Sequence, residues 1–172
     1  MSAFDRNADS GNVEYFTPGY ILDVVRTHLG AIDLDPFSNK KANQSVKATQ
    51  FYSLEDDGFS QPWFGRVWMN PPFGKFTRLC THKFVMEYVV GSVEEGCCIT
   101  HANTSERWFQ ELAQFPQCFL CPRVSYIDGA TGKKKQGATK GSVITYVGSN
   151  IPVSYTHLSR KRLRWWGGSS GN

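Results

Sequence analysis

Asn70, Pro71, Pro72 and Phe73 form the segment whose residue types and order could carry chemistry. Each proline removes a backbone hydrogen-bond donor and restricts the residue before it, so the chain must leave a preceding strand here in a stiff, extended form. The Asn70 side-chain oxygen and the Pro71 carbonyl would then be fixed acceptors beside the Phe73 ring. The same pattern also fits a plain turn that ends a strand, so its setting must distinguish the two interpretations.

The chemistry that such acceptors favour is methyl transfer to an amine. An aromatic base amine is a poor nucleophile because its lone pair is delocalised into the ring. Two acceptors holding its two hydrogens would favour the pyramidal form and stabilise the positive charge that develops as a methyl group arrives. Phe73 could stack on a base turned out of its helix, which chemistry on duplex bases requires. The four residues therefore suffice in kind, without a metal or a strong base.

Alternating helical and extended patterns surround this segment. Thr17 and Pro18 predict a helix start, with the Thr17 hydroxyl as cap and Pro18 in the first turn, and Gly30 predicts the end. The apolar face of this helix would consist of Ile21, Leu22, Val25 and Leu29. A later helix would bury a face made of Leu79, Lys83, Met86 and Val90. A capping box of Asn103 and Glu106 predicts a third helix through Phe115.

Extended segments are predicted at 31–35, 49–52, 66–69, 96–100, 123–127 and 142–147. The last two would form a hairpin across a Gly- and Lys-rich loop at 128–135. This alternation predicts an α/β fold with a mostly parallel sheet and a terminal antiparallel hairpin. Ligands of such sheets bind beyond the carboxyl ends of the strands, where Asp35 and Asn70 both lie. We expect one domain over 13–158, a flexible N-terminus over 1–12 and a basic, aromatic tail over 159–172.

The chain resembles the phage-type DNA N6-adenine methyltransferases over roughly residues 14 to 147. The ordered set of shared motifs carries the resemblance, and it comprises Tyr15-Phe16-Thr17-Pro18, Asp33-Leu34-Asp35-Pro36-Phe37-Ser38, Asp56-Asp57-Gly58, Trp63, Trp68-Met69-Asn70-Pro71-Pro72-Phe73-Gly74, Thr104 and Trp108-Phe109. The resemblance implies a single Rossmann-like methyltransferase domain, S-adenosylmethionine as donor and adenine N6 in DNA as acceptor.

Residue roles follow from the same resemblance. Asn70 to Phe73 match the catalytic motif, and Phe16, Thr17 and Pro18 match the segment that holds the methionine end of the donor. Asp35 and Ser38 match the donor loop after the first strand, and Asp56 or Asp57 falls near the donor adenosine. The chain departs from the amino-methyltransferase pattern because no glycine follows Asp35, although close backbone approach to a cofactor normally requires one. Only 35 positions separate Asp35 from Asn70, which leaves little room for a helix, a strand and a further helix, so Asp33 or Asp56 would supply the acid that binds the donor ribose.

The charge pattern suggests a polyanionic partner. The net charge is +4, and the basic residues concentrate in two places. Phosphate contacts and base stacking are predicted for Lys133, Lys134, Lys135, Lys140, Arg160, Lys161, Arg162, Arg164, Trp165 and Trp166. The tail could instead pack on the domain as an ordinary surface segment. We expect DNA as partner, and either a monomer or a homodimer.

The remaining patterns exclude several classes. Residues 1–14 lack a signal-peptide pattern, and no apolar run approaches the roughly 20 residues that span a bilayer, so we expect a cytoplasmic protein without membrane contact, in the host cytoplasm if a phage encodes it. Cys118 and Cys121 have metal-ligand spacing, but their surroundings predict core cysteines and no metal site.

Alternatives remain open at this level. The same amine chemistry could act on cytosine N4, an RNA base or a protein glutamine amide. A non-catalytic nucleic-acid-binding protein derived from the fold is the alternative of another class.

Overall fold

The computed structural model describes residues 14–135 and 139–150, together with the backbone of 163–166. Its helices are α1 (Gly19–Leu29), α2 (Lys40–Val46), α3 (Thr77–Val89) and α4 (Arg107–Leu112). Its strands are β1 (Tyr15–Phe16), β2 (Leu34–Asp35), β3 (Gln50–Phe51), β4 (Gly65–Met69), β5 (Val93–His101), β6 (Gln117–Leu120), β7 (Ile127–Asp128), β8 (Ser142–Val147) and β9 (Leu163–Trp166). The predicted N-terminal segment 1–12 lies outside the described residues, as does the predicted tail 159–172 apart from the β9 backbone.

One sheet organises these elements, in the strand order β3-β2-β4-β5-β8-β6-β9. The strands from β3 to β5 pair in parallel. β8 is antiparallel to both β5 and β6, so β6 runs in the direction of the parallel strands. β9 pairs antiparallel with β6. The predicted α/β architecture with a mostly parallel sheet is therefore confirmed.

The predicted pairing of 123–127 with 142–147 is wrong. β8 lies between β5 and β6 inside the sheet, and β7 pairs instead with β1 in a separate antiparallel β1–β7 ribbon. All six residues of β8 are buried, because a strand in the interior of a sheet is covered on both edges and both faces. The antiparallel element was predicted, but its partner was not.

Alternate residues of the central strands enter different hydrophobic clusters. Trp68 of β4 packs with Ile21 and Leu22 of α1. Its neighbour Met69 packs with Phe84 of α3 on the other side. This alternation follows from the two-residue period of a strand and shows that helices cover both faces of the sheet.

Helix α1 has the predicted buried face of Ile21, Leu22, Val25 and Leu29, and Gly30 ends it at a φ of 76°. The predicted capping by Thr17 is wrong. Pro18 is the residue that precedes the first turn, and the Thr17 hydroxyl is buried without a hydrogen-bond partner among the described residues. The carbonyl of Pro18 accepts the Ile21 amide at 3.0 Å, which closes the first turn through the backbone.

Helix α3 buries a different face from the predicted one. Thr77, Cys80, Thr81 and Phe84 are buried, whereas Leu79, Met86 and Val90 are exposed. Apolar residues occur all round this helix, so their spacing fits two faces equally well. Packing against the sheet selects the face that carries the Phe84 ring.

The predicted capping box before α4 is also wrong. The helix begins at Arg107, no side chain caps it, and it ends at Leu112 rather than Phe115. The backbone carbonyl of Asn103 accepts the Glu106 amide at 2.9 Å, which forms a turn and delays the helix by several residues.

The cysteines are core residues with one exception. Cys80, Cys97, Cys98 and Cys118 are buried as predicted, but Cys121 is exposed because the chain has left β6. Among the described residues, no three metal-binding side chains come close enough to hold an ion. None of the described helices has the length and apolar character needed to cross a membrane.

Candidate active site

Three neighbouring strands end at one edge of the sheet in residues with useful chemistry. β2 ends at Asp35, β4 ends one residue before Asn70, and β5 ends at His101. Parallel strands share the edge at which they end, so these side chains converge. A cavity of about 610 Å³ opens there, which is within the usual size range of small-molecule sites.

Of the 16 predicted site residues whose side chains the structure describes, 11 line this cavity. They are Asn70, Pro71, Pro72, Phe73, Phe16, Thr17, Asp35, Ser38, Asp57, Lys135 and Lys140. The structure does not bring Pro18, Asp33, Asp56, Lys133 or Lys134 to its wall. Arg160, Lys161 and Arg162 lie outside the described residues, as do the side chains of Arg164, Trp165 and Trp166.

Asn70 is held by one end of its amide. Its Nδ2 donates a hydrogen bond to the Tyr15 carbonyl at 3.0 Å. Since that carbonyl can only accept, the contact sets the orientation of the amide. Oδ1 is buried and has no hydrogen-bond partner in the described part of the chain. A buried acceptor left without a partner costs about 1–3 kcal/mol, so a ligand N–H at this atom would be strongly favoured.

The Phe73 ring already has an aromatic neighbour. It stacks on the His101 imidazole, with 4.2 Å between ring centroids and 22° between ring planes. Tyr126 meets the same ring edge-on at 5.9 Å. Burial, followed by the charge of Lys140, lowers the pKa of His101, so the stacked imidazole is neutral at physiological pH.

Asp35 is a buried acid in the wall of the cavity. Its side chain is 2% exposed. Burial raises the pKa of this carboxyl to about 7, and the Phe37 amide, which donates to Oδ1 at 3.2 Å, opposes the rise only in part. With its pKa near 7 this carboxyl is only partly ionised at neutral pH, and an approaching cation favours its carboxylate form.

The β1–β7 ribbon carries Phe16 and places it beside the cavity next to Thr17. The ribbon is tied to the domain at several points. Gly129 donates its amide to the Glu14 carbonyl at 2.7 Å, and Asn39 donates to the Glu14 carboxylate at 2.8 Å. These hydrogen bonds fix the position of β1, and with it the Tyr15 carbonyl that accepts from Asn70 Nδ2.

Asp57 and Asp56 lie side by side but face different surroundings. Asp57 lines the cavity, has a left-handed φ of 52°, and keeps Oδ1 buried without a partner among the described residues. Asp56 is exposed, and the hydroxyl and amide of Ser53 occupy its Oδ2 and lower the pKa of its carboxyl. Asp57 is therefore the acid whose free oxygen can meet a ligand.

Gly58 explains how this acidic loop comes so close to β2. A Cβ added at Gly58 would lie 1.8 Å from the Pro36 carbonyl oxygen, so only glycine permits the contact. The Trp63 indole N–H donates to the Gly58 carbonyl at 2.7 Å from a buried position. Gly58 therefore permits the close contact between this loop and the segment after β2.

Asp33 lies directly before β2, at the end of the strand opposite to Asp35, and its contacts are structural. Its carboxylate makes a two-pronged ion pair with Arg66, at 2.8 Å and 3.0 Å, and also accepts the Arg66 amide. The Arg66 guanidinium lowers the pKa of Asp33. Its oxygens are thus engaged away from the cavity.

The lysines of the loop after β7 divide into two groups. Lys135 lines the cavity, donates to the Tyr15 hydroxyl and lies 4.3 Å from the centre of that ring. Lys140 also lines the cavity. Lys133 and Lys134 are exposed beside the β1–β7 ribbon and face solvent.

Sequence reasoning missed three residues of the site. His101 ends a strand at the same edge as Asn70, so the rule that ligands bind at carboxyl ends could have identified it. Tyr15 contributes through its backbone carbonyl, which no residue type reveals. Tyr126, directly before β7, meets the Phe73 ring although the two residues lie far apart in the sequence.

The fold and the cavity together define an α/β protein with a small-molecule site beyond the carboxyl ends of its parallel strands. The sequence profile of the DNA N-6-adenine-methyltransferase (Dam) family matches residues 8–164, most of the chain, so the chain belongs to this family. A comparison with curated proteins finds no match. The protein is thus an adenine-specific DNA methyltransferase, DNA is its substrate, and the family implies S-adenosylmethionine as methyl donor.

The residues of the cavity fit that donor chemically. S-adenosylmethionine carries an ammonium group, a sulfonium centre and ribose hydroxyls, all of which favour acidic or accepting groups. The buried Asp35 carboxyl and the unpartnered oxygens of Asp57 and Thr17 are such groups. Leu22 and Val46 add an apolar wall for the rest of the molecule.

Proposed function

We propose that the protein transfers the methyl group of S-adenosylmethionine to adenine N6 in DNA within a Rossmann-like domain over 13–158. Asn70 and Pro71 orient the amine, Pro72 stiffens the segment, and Phe73 stacks on the base. The observation that carries the proposal is the Asn70 amide, which is anchored on Tyr15 through Nδ2 and keeps a buried, unpartnered Oδ1 beside the cavity.

The chain acts on the amine by accepting its hydrogens. Asn70 Oδ1 and the Pro71 carbonyl each accept one N6–H, which localises the nitrogen lone pair and stabilises the charge that develops on nitrogen. The bound donor supplies an electrophilic methyl on a sulfonium sulfur, which becomes a thioether as the N–C bond forms. The methylated nitrogen then loses a proton to solvent, so no dedicated strong base is required.

The other residues of the cavity hold the donor. Phe16, Thr17 and Pro18 bind its methionine end, with Thr17 offering a buried hydroxyl. Asp35 and Ser38 lie in the loop after β2. For the ribose we favour Asp57 over Asp33 and Asp56, because its free oxygen lines the cavity.

The basic side chains around the cavity would bind the DNA phosphates. Lys135 and Lys140 line the cavity, and Lys133 and Lys134 stand exposed nearby. For the tail residues we propose phosphate contacts and base stacking, by Arg160, Lys161, Arg162, Arg164, Trp165 and Trp166. The protein would act in the cytoplasm, as a monomer or a homodimer.

The direct test combines the protein with labelled S-adenosylmethionine and unmethylated DNA, followed by digestion and identification of the labelled nucleoside. We expect label in N6-methyladenosine of DNA. Label in N4-methylcytosine, RNA or a protein glutamine would contradict the adenine assignment. Failure to bind the donor at millimolar concentration would contradict the enzymatic proposal itself.

Asn70→Ala tests the mechanism. Removing Oδ1 should lower kcat by 10²-fold or more, in the range seen when one transition-state hydrogen bond is removed, while the donor Kd changes little. Asn150→Ala is a matched control, because that side chain is exposed and lies outside the cavity. Loss of donor binding in Asn70→Ala would show that Asn70 serves the donor rather than the base.

A further inference from the structure

The stack between Phe73 and His101 bears directly on how the target base can bind. At 4.2 Å between centroids the two rings are in contact, and no third ring fits between them. An adenine that stacks on this face of Phe73 must therefore replace the imidazole. Both are planar aromatic rings, and the lowered pKa of His101 keeps its ring neutral like a base.

A second, smaller cavity provides room for the imidazole. It measures about 210 Å³ and lies next to the first one. His101 and Lys140 line both cavities, so the imidazole is part of the wall between them. Asn103 and Glu106 also line the smaller cavity and offer an amide and a carboxylate.

His101 is weakly held in its stacked position. Its Nδ1 is buried without a hydrogen-bond partner in the described part of the chain, which disfavours that position. One aromatic stack changes an equilibrium constant by only roughly 2- to 10-fold. In the smaller cavity a ring nitrogen could hydrogen-bond to Glu106 or Asn103, so the displaced position has a compensating partner.

We propose that His101 is a positioning residue that occupies the place of the target adenine on Phe73 in the DNA-free enzyme and moves into the smaller cavity when the base arrives. The inference rests on the proposed role of Phe73 as the stacking partner of the base. His101 thereby keeps the aromatic surface covered until DNA binds, and it sets how readily a base is accepted.

Three substitutions at His101 distinguish the contribution of its stacking ring from that of its hydrogen-bonding nitrogen. His101→Ala removes both, and His101→Gln removes the ring but keeps a polar group. Both should lower the KM for DNA by about 2- to 10-fold with kcat changed less than twofold. His101→Phe keeps a stacking ring but cannot hydrogen-bond in the smaller cavity, so the KM for DNA should rise by about the same factor.

Base extrusion gives a spectroscopic measure of the same effect. With 2-aminopurine at the target position, fluorescence rises when the base leaves the helix stack. We expect a larger rise with His101→Ala and His101→Gln than with the natural enzyme, and a smaller rise with His101→Phe. His82→Ala is the matched control, since that histidine is exposed on α3 and lines neither cavity.

The thermal unfolding midpoint and the donor Kd, measured for every variant, establish that each one folds. A KM or 2-aminopurine signal in His101→Gln equal to that of the natural enzyme would overturn the inference, because the base then uses another surface. Weaker DNA binding in both His101→Ala and His101→Gln would also overturn it, because the imidazole would then contact the base itself. Absence of adenine methylation by the natural enzyme would instead contradict the proposed function.

Discussion

Asp35→Asn perturbs the most deeply buried acid of the cavity, and its effect on folding can be worked out from the structure. Burial raises the pKa of Asp35 from an ordinary value of 3.8 to about 7. At a pH between these two values, the Asp35 carboxyl is ionised in the unfolded chain but protonated in the folded protein. The free energy of unfolding therefore falls as the pH rises through this range. The loss is complete above pH 7.

The size of this loss follows from the two pKa values. A difference of one in pKa corresponds to about 1.4 kcal/mol, so the carboxyl of Asp35 costs roughly 4 kcal/mol of stability at pH 8 in the donor-free protein. Asparagine has nearly the same shape and does not ionise. Asp35→Asn should therefore be more stable than the natural protein at pH 8, with the difference shrinking towards zero near pH 4.

Donor binding should show the opposite pH trend in the natural protein. A donor cation favours the ionised carboxylate, but at pH 6 about nine-tenths of a group with a pKa near 7 is protonated. The donor Kd should accordingly be about tenfold weaker at pH 6 than at pH 8. In Asp35→Asn the Kd should be roughly 10- to 100-fold weaker at pH 8, because a charge-assisted contact is lost, and it should no longer depend on the Asp35 ionisation.

Chemical denaturation and calorimetric titration with S-adenosylmethionine, both from pH 5 to 8, measure the two effects. Asp23→Asn is the control for the substitution itself, since the Asp23 side chain is exposed and forms an ion pair with Arg26, one turn further along α1. A donor Kd that is flat between pH 6 and 8 would refute the role of Asp35 in donor binding. A lower stability of Asp35→Asn at pH 8 would refute the reasoning about its burial.

Asp57→Asn should weaken donor binding by roughly tenfold or more, whereas Asp56→Asn should change it less than twofold; equal effects in a donor titration would contradict the preference for Asp57. Gly58→Ala should weaken donor binding and lower the unfolding midpoint, because its Cβ would collide with the Pro36 carbonyl; unchanged values would show that the loop can move away. Phe84→Ala should cost about 3–5 kcal/mol in denaturation experiments, and Met86→Ala less than about 0.5 kcal/mol; the reverse order would contradict the buried face of α3.

Local signals in the sequence were sufficient for the elements that position Asn70. The apolar run before it predicts β4, and two prolines after it require the chain to leave the sheet. Gly30 marks the end of α1 because only glycine adopts its left-handed φ without strain. These features depend on residues close in sequence, and they are confirmed in the structure.

Features that depend on distant partners could not be predicted in this way. The spacing of apolar residues in α3 is compatible with two faces, and packing against the sheet chooses the one with Phe84. The strand at Ser142–Val147 has the composition of an interior strand, but nothing nearby in sequence specifies that it enters between β5 and β6.

The sequence by itself determined that the chain leaves the sheet at 70–73 and at which sheet edge this happens, since these follow from backbone restrictions and from strand order within one segment. The amine chemistry of the motif stays a prediction. Only the tertiary structure decided that the Tyr15 carbonyl orients Asn70 and that His101 covers Phe73. The physical reason is that hydrogen bonds and ring stacks form between residues far apart in the chain, and the pairing of strands determines which of them meet.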